Sequence, residues 1–283
     1  MKIEFQRLGP LGKEVPAALI DGVHYDLRSI TGEINAEFLS RDPVSLVEAA
    51  FPTLEPLAES GKMRVGSPIA KPGAIYCIGM NYAKHAAEAG AEPPERIVVF
   101  LKPPHTVAGP DDDFVAPSGM DKLDWEVELA VVIGKQAWQI APNEDPLDYV
   151  VGFTVANDIS ERYWQIEVSG GQWSKGKSGP GFLPLGPSLV PKGQADIGHL
   201  RLTSAVNGDI RQNSNTSDMI FDVETIVRDL SQFTVLEPGD VILTGTPEGV
   251  ALSGRFAYLK SGDEMRIEIE NLGIQTQHVT KGK

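Results

Sequence analysis

The 283-residue chain is poor in cysteine, in positive charge and in long apolar runs. Its single cysteine, Cys77, lies in an apolar stretch and cannot form an internal disulfide, so we expect a small buried hydrophobe in a reducing environment. Every apolar run falls far short of the roughly 20 residues that span a bilayer, and the first ten residues lack the apolar core of a signal peptide. We therefore expect a soluble, cytoplasmic protein.

Positive charge is scarce because 25 Lys and Arg face 39 Asp and Glu, which gives a formal net charge of −14. Such a chain repels phosphate backbones and anionic headgroups, which disfavours nucleic acid and membranes as partners. An acidic substrate would need a cation to mediate its binding. The composition is otherwise that of a globular protein, with 41% hydrophobic and 23% charged residues.

The patterning predicts an α+β, β-rich fold with a small N-terminal α/β domain over residues 1–70 and a larger, β-rich domain over 71–283. In the first part, two strands flank Asp21-Gly22 and helix follows near Pro43–Phe51. Ser60–Pro72, with two glycines and two prolines, is typical of a linker. The second part predicts eight strands, at 74–79, 97–101, 125–133, 149–156, 202–206, 241–244, 265–269 and 274–279. It also predicts three helices, at 81–89, 160–168 and 221–233, and a hairpin at Asn207-Gly208.

Residues Gly171–Ser178 match the spacing of a nucleotide-binding phosphate loop. Such a loop follows a buried strand and opens a helix. Here Pro180, Pro184 and Pro187 follow, which cannot continue a helix, and a helix is predicted before it. A nucleotide hydrolase is therefore a remote alternative. Lys177 is then either a solvated loop lysine or a cation brought to an active site.

Glu126 and Glu128 alternate with apolar residues, so a strand would place them on one face, about 7 Å apart. An outward-facing acidic strand is one interpretation. The strand continues into Ala130–Ile133, apolar on both faces, which instead predicts a central, covered strand. Buried carboxylates without compensation are costly, so a bound cation is the alternative.

Asp158 ends a second apolar run and is the third candidate ligand. It could equally cap a helix beginning at Ile159, with Glu161 completing a capping box. Carboxylates are hard oxygen ligands and no His or Cys cluster accompanies these three, so Mg²⁺ or Mn²⁺ is favoured over zinc.

The segment Asn81–Glu88 offers a candidate base. Asn81 can cap a helix on which His85 and Glu88 share one face, and Glu88 could then orient the imidazole. An exposed polar helix face explains the same spacing.

Taken in order over most of residues 70 to 280, these segments resemble the fumarylacetoacetate hydrolase family. The segments that carry the resemblance are Ile78-Gly79-Met80-Asn81-Tyr82 with His85 and Glu88, Phe100-Leu101-Lys102-Pro103, Trp125-Glu126-Val127-Glu128-Leu129, Asn157-Asp158-Ile159-Ser160-Glu161-Arg162, Lys177-Ser178, Asn207-Gly208, Thr216–Ile220 and Thr244-Gly245-Thr246-Pro247. Many members have an Asp where this chain has Pro180, which puts the loop after Lys177 in doubt. Gly170–Trp173 looks like the subgroup acting on 2,4-diketo-3-deoxy sugar acids.

The resemblance implies a mixed β-roll catalytic domain, a homodimer, and Mg²⁺ or Mn²⁺ held by Glu126, Glu128 and Asp158. It further implies catalytic roles for His85, Glu88 and Lys177, with substrate contacts from Arg162, Gln165, Gly245 and Thr246. The implied reaction is hydrolysis of a 2,4-diketo acid between C3 and C4, giving pyruvate and a second carboxylic acid. Oxaloacetate decarboxylation and dienoate isomerisation are the alternatives within the fold. A metal-binding scaffold without turnover is disfavoured, because it would not need His85, Glu88 and Lys177.

Overall fold

The computed structural model of the chain describes residues 1–88 and 90–282. The strands β1 to β19 are Ile3–Leu8, Val15–Ile20, Val23–Asp26, Val65–Gly66, Ile75–Gly79, Val98–Lys102, Val107–Ala108, Phe114–Ala116, Leu123–Asp124, Val127–Ile133, Val150–Asn157, Ser160–Glu161, Leu183–Pro184, Val190–Pro191, Arg201–Val206, Asp209–Asn215, Val241–Leu243, Glu264–Ile269 and Gly273–Lys281. The α-helices α1 to α4 are Ala36–Leu39, Pro43–Ala50, Ala83–Glu88 and Val223–Ser231. Strand-rich composition with few helices confirms the predicted α+β, β-rich class.

The N-terminal part is a four-stranded sheet in the order β3-β2-β1-β4 with α1 and α2 beside it. The turn between β2 and β3 uses Asp21 and Gly22 at φ 47° and 88°, conformations that an Asp-Gly pair adopts easily. Strand β4 pairs with β1 through Val65 and Gly66, so part of the predicted linker belongs to this sheet. The apolar residues of this sheet share one core with Ala130, Val132 and other residues of a second, six-stranded sheet.

A six-stranded sheet in the order β14-β11-β10-β17-β5-β6 forms the centre of the molecule. All seven residues of β10 are buried. One face of β10 belongs to the N-terminal core, and the other, with Leu129 and Val131, belongs to the core that also contains the apolar residues of α4. Burial on both faces explains why this strand is apolar in a continuous run, and it confirms the predicted central strand.

A five-stranded sheet, β16-β15-β18-β19-β8, lies beside the central one. Its β15–β16 hairpin turns at Asn207 and Gly208, with φ of 53° and 83°, which confirms the predicted hairpin. Helix α4 begins after Asp222, whose side chain accepts from the Thr225 N–H at 2.8 Å.

Two of the predicted helices differ in the structure. The helix predicted for 81–89 runs over Ala83–Glu88, and Ala89 lies outside the described residues. Asn81 does not cap it, because its amide group bonds to the backbone of Phe221 and Thr244 instead. The helix predicted for 160–168 is the short strand β12, which pairs with β9, followed by a π-helical turn over Tyr163–Glu167. Pairing with a distant strand overrides the helical pattern there. Among the residues that the structure describes, no helix has the length and apolarity needed to cross a membrane.

Candidate active site

Three buried carboxylates meet where β10 begins and β11 ends. Because the two strands are antiparallel neighbours, the start of β10 adjoins the end of β11, and the Asp158 N–H donates to the Glu126 carbonyl at 2.9 Å. Carboxylate oxygens of Glu126, Glu128 and Asp158 all lie within 4.8 Å of one another. The three side chains are inaccessible to solvent or nearly so. The outward-facing acidic strand and the helix-capping role of Asp158 are therefore both wrong.

Three buried cations surround these carboxylates. Lys177 Nζ lies 2.7 Å from Glu126 Oε2 and 2.6 Å from Asp158 Oδ2. Lys102 Nζ lies 2.5 Å from the other oxygen of Asp158. Arg162 lies 2.7 Å from Glu126 Oε1 and 2.8 Å from Asp124 Oδ2. Only 1% of Lys177 is exposed, which rules out a solvated loop lysine.

The ion pairs set the protonation states. Burial alone would raise the pKa of Glu126, but Lys177 and Arg162 lower it to about 2. Burial lowers the pKa of Lys177, and the opposing attraction of Asp158 and Glu126 raises it above its ordinary value. For Lys102 the burial effect is the larger one, so its pKa is lowered. Glu126 and Lys177 are consequently both charged near pH 7.

Glu128 is the one member of the cluster without a cation partner among the described residues. Its carboxylate accepts the Gly245 N–H at 2.7 Å and is 2% exposed. Burial, with repulsion from Asp158 and Glu126, raises the pKa of Glu128 well above its ordinary value. Counting Asp124, four carboxyl groups face three cations, so an ionised Glu128 has no counter-charge among the described residues. A divalent cation fits this donor set, since each carboxylate oxygen can accept more than one partner.

His85 and Glu88 lie one turn apart on α3, but they are not hydrogen-bonded. Their closest atoms, Nδ1 and Oε2, are 3.8 Å apart, and Nδ1 has no hydrogen-bond partner within residues 1–88 and 90–282. Glu88 instead accepts the Gly249 N–H at 2.9 Å and pairs with Arg255 at 2.7 Å. Burial lowers the pKa of His85, opposed by attraction to Glu126, so the imidazole is neutral near pH 7 and can accept a proton.

The predicted substrate contacts take up positions around the cluster. Arg162 donates to Gln165 Oε1 at 2.7 Å. The hydroxyl of Thr246 donates to the Val127 carbonyl at 3.0 Å and accepts from Gln212 at 2.8 Å. Gly245 adopts φ 95°, and a Cβ there would lie 2.9 Å from the Cβ of Asn81. Only glycine therefore places its N–H against Glu128 in this turn.

A cavity of about 210 Å³ opens onto the cluster. Of the ten residues predicted from the sequence, seven line it: His85, Glu126, Glu128, Arg162, Gln165, Lys177 and Thr246. The other three, Glu88, Asp158 and Gly245, are not part of the lining. Aliphatic and aromatic side chains complete the lining: Ile78, Met80, Phe100, Ile166, Trp173 and Leu252. The volume suits a small metabolite. A larger groove of about 870 Å³ elsewhere contains none of the predicted residues.

Two residues of the site were not predicted as such. Lys102 and Asp124 are fully buried and pair with Asp158 and Arg162 respectively. Asp124 also accepts the backbone N–H groups of Ala251 and Leu252. The available signals were a lysine that ends an apolar strand, in a segment that carried the resemblance, and an aspartate directly before the segment that begins at Trp125.

The segment with phosphate-loop spacing does not form a phosphate cradle. The π-helical turn at Tyr163–Glu167 precedes it, and a 3₁₀ turn over Trp173–Gly176 occupies its middle. No α-helix follows, since the next described elements are the short strands at 183–184 and 190–191. Its Lys177 forms ion pairs with two carboxylates, those of Glu126 and Asp158.

The chain is similar to several known proteins. The family described as fumarylacetoacetate (FAA) hydrolase, C-terminal, matches residues 74–280. A mitochondrial oxaloacetate tautomerase of Bos taurus is 42% identical over 242 residues, which is 84% of this chain and 77% of that protein. The fumarylacetoacetate hydrolase of Exiguobacterium antarcticum superposes with a TM-score of 0.86 at 30% identity, covering 99% of this chain and 100% of that one. The maleylpyruvate hydrolase of Sphingobium sp. SYK-6, solved with manganese(II) and pyruvate, gives a TM-score of 0.82 at 27% identity, covering 99% and 100%.

Proposed function

The chain belongs to the fumarylacetoacetate hydrolase family, and on that premise we propose that it hydrolyses the carbon–carbon bond between C3 and C4 of a 2,4-diketo acid. The products are pyruvate and a second carboxylic acid. The observation that carries the proposal is the position of Lys177. It bridges Glu126 and Asp158 in the wall of a cavity that also presents a neutral histidine.

Glu126, Glu128 and Asp158 are the residues that would hold Mg²⁺ or Mn²⁺. The raised pKa of Glu128, which has no cation partner among the described residues, supports this because a bound cation would favour its ionised form, as does the manganese(II) in the Sphingobium hydrolase. When bound, the ion acts as a Lewis acid toward a 2-oxo acid and offsets the repulsion between an anionic substrate and an acidic protein.

His85 is the proposed base. Its imidazole is neutral and its Nδ1 has no hydrogen-bond partner in the part of the chain that the structure describes, so it can take a proton from water as the oxygen adds to C4. The C3–C4 bond then breaks, its electron pair moves to the pyruvate fragment as an enolate, and protonation at C3 completes pyruvate. Glu88 lies close enough to orient the ring after a small movement.

Lys177 and Arg162 are the proposed charge partners of the substrate. Both side chains are buried and charged, so they face developing negative charge without the screening of bulk water. Gln165 is held against Arg162, which fixes the direction of its amide group.

A substrate panel tests the proposal. Purified protein is incubated with Mn²⁺ and a set of acylpyruvates, 2,4-diketo-3-deoxy sugar acids and oxaloacetate, and pyruvate is measured with and without chelator. Metal-dependent pyruvate release from a diketo acid supports hydrolysis. Absence of release across the panel, from protein that binds the metal, contradicts it. Light scattering of the same sample tests the homodimer, which stays a prediction of the family resemblance.

Tautomerisation of oxaloacetate is a second candidate, favoured by the 42% identity to the Bos taurus oxaloacetate tautomerase. The keto and enol forms interconvert by removal and return of a C3 proton, which needs no attacking water. Changing His85 to Gln removes the proposed base of hydrolysis, a loss that typically lowers the rate by about 10² to 10⁴-fold. If hydrolysis is the main reaction, oxaloacetate turnover is slow in the wild type. If tautomerisation is the main reaction, its rate exceeds that of diketo acid cleavage by orders of magnitude. The ultraviolet absorbance of the enol measures the rate of tautomerisation.

A further inference from the structure

A tryptophan stands between the active-site cavity and a second groove. Trp173 and Phe100 line both the 210 Å³ cavity that holds Lys177 and a neighbouring groove of about 440 Å³. Their rings meet edge to face, with centroids 5.7 Å apart and planes at 67°. Phe100 in turn faces Lys177, whose Nζ lies 5.2 Å from the ring centroid. Phe100 and Trp173 therefore form an aromatic wall, and Phe100 is the ring of this wall that faces Lys177.

Backbone contacts fix this wall. A Cβ built on Gly79 would lie 2.3 Å from Cζ3 of Trp173, so the indole packs directly on the backbone of β5. The 3₁₀ turn that carries Trp173 is tied to β6, because Ser174 Oγ donates to the Leu101 carbonyl at 2.6 Å. The indole thus contacts β5 directly and contacts β6, the edge strand of the sheet, through Phe100.

The cations near the wall are already paired. Lys177 pairs with Glu126 and Asp158, and Arg162 pairs with Glu126 and Asp124. The rest of the wall is aliphatic: Ile78, Met80, Ile166 and Leu252. A second carboxylate placed against these four aliphatic side chains would lose its water without gaining a partner from them.

We propose that Trp173 limits the length of the acyl group, and that the substrate is a 2,4-diketo acid with a short, uncharged acyl group. This inference rests on the proposed function, because it specifies the acyl part of that substrate. A longer chain would have to continue into the groove along β6, which the indole closes off.

Binding measurements, which need no turnover, test whether Trp173 limits the length of the bound chain. Calorimetry gives the Kd of the Mn²⁺-loaded protein for 2-oxo acids from 2-oxobutanoate to 2-oxodecanoate. In the wild type, we expect 2-oxodecanoate to bind at least about tenfold more weakly than 2-oxobutanoate. In Trp173→Ala this ratio falls by about tenfold or more, because the chain then reaches the groove, where each buried methylene adds about fourfold in affinity.

Two variants accompany Trp173→Ala. Trp173→Phe keeps a ring in the wall and gives a smaller shift in the same direction, which preserves the test should the alanine variant not fold. Trp138→Ala is the matched control, since Trp138 is 50% exposed and lines neither cavity. It keeps the wild-type ratio.

Each outcome decides one part of the inference. If the ratio of the Kd values for 2-oxodecanoate and 2-oxobutanoate is unchanged in both Trp173 variants, the proposed length limit by Trp173 is overturned. Equal affinity for 2-oxoglutarate and 2-oxopentanoate, which differ by one carboxylate, overturns the uncharged acyl group. A length limit that Trp173→Ala relieves, in a protein that hydrolyses no acylpyruvate, supports the wall and overturns the hydrolase proposal alone.

Discussion

Arg255 is a closer partner of Glu88 than His85 is. Its Nη1 lies 2.7 Å from Glu88 Oε1, whereas His85 Nδ1 lies 3.8 Å from Glu88 Oε2. Arg255 also lies over the ring of Phe256, 5.3 Å from its centroid. The carboxylate that would orient the proposed base is therefore shared with a cation that belongs to the opposite loop.

Changing Arg255 to Gln should return Glu88 to His85. With one partner lost, the Glu88 carboxylate is free to bond to Nδ1, which favours the protonated imidazole and raises the pKa of His85. We expect the acidic limb of the pH profile of kcat/KM to move to higher pH. Arg41→Gln, at an exposed position elsewhere, is the control. Identical profiles for all three proteins would show that Arg255 has no influence on the base.

The pH dependence of the wild type follows from the burial of His85. Burial lowers the pKa of this imidazole below its ordinary 6.5, so the base stays neutral and competent below pH 6.5. Because the folded pKa is depressed, the histidine's contribution to stability is present above about pH 6.5 and is lost as the pH falls through the folded value. Urea unfolding at pH 7.5 and 5.5 checks this. Wild type should lose more stability across the interval than His85→Gln, and equal losses would argue against a buried neutral imidazole.

Glu126 and Glu128 should respond differently to the same substitution in metal-free protein. Glu126→Gln leaves Lys177 and Arg162 short of a buried partner, which typically costs about 3 to 5 kcal/mol. Glu128→Gln replaces a buried carboxyl group that has a raised pKa and no cation partner among the described residues, and it keeps an oxygen for the Gly245 N–H, so it should be neutral or stabilising. Urea unfolding in excess EDTA measures both. Comparable destabilisation by the two variants would contradict the pairing described here.

The same two variants should lose the stabilisation by metal. In the wild type, Mn²⁺ binds the folded state and raises the melting temperature in a concentration-dependent way. Neither variant should show the full rise, since each lacks one of three anionic ligands. Full activity of the wild type after extended dialysis against EDTA would remove the metal from the mechanism.

Changing Lys177 to Met deletes a charge while keeping much of the aliphatic stem. We expect kcat for diketo acid cleavage to fall by about 10² or more, as on loss of a group that stabilises developing charge. ATP and GTP should leave the melting curve unchanged. Saturable nucleotide binding that the substitution abolishes would revive the phosphate-loop interpretation. Lys175→Met, in the same loop but exposed, is the matched control.

Local patterns in the sequence determined much of the framework. Alternating and continuous apolar runs located most strands of the central sheet, and Asn207-Gly208 located a hairpin, because both signals depend on neighbours within a few residues. Burial of an acidic strand predicted a cation near Glu126 and Glu128 by the same reasoning. Where a distant strand competed with the local pattern, as at Ser160–Glu161, the prediction of a helix was wrong.

Only the tertiary structure decided which charges pair. Lys102 meets Asp158 across 56 residues of sequence, and Glu88 meets Arg255 across 167. Trp173 reaches Gly79 because a loop after β12 folds back over β5. No periodicity encodes these contacts, because they depend on the order of strands in the sheet and on how its edge is covered. The sequence by itself favoured the burial of Glu126 and Glu128, because their strand continues into an apolar run, and the packing of distant segments determined which of the buried carboxylates face a cation.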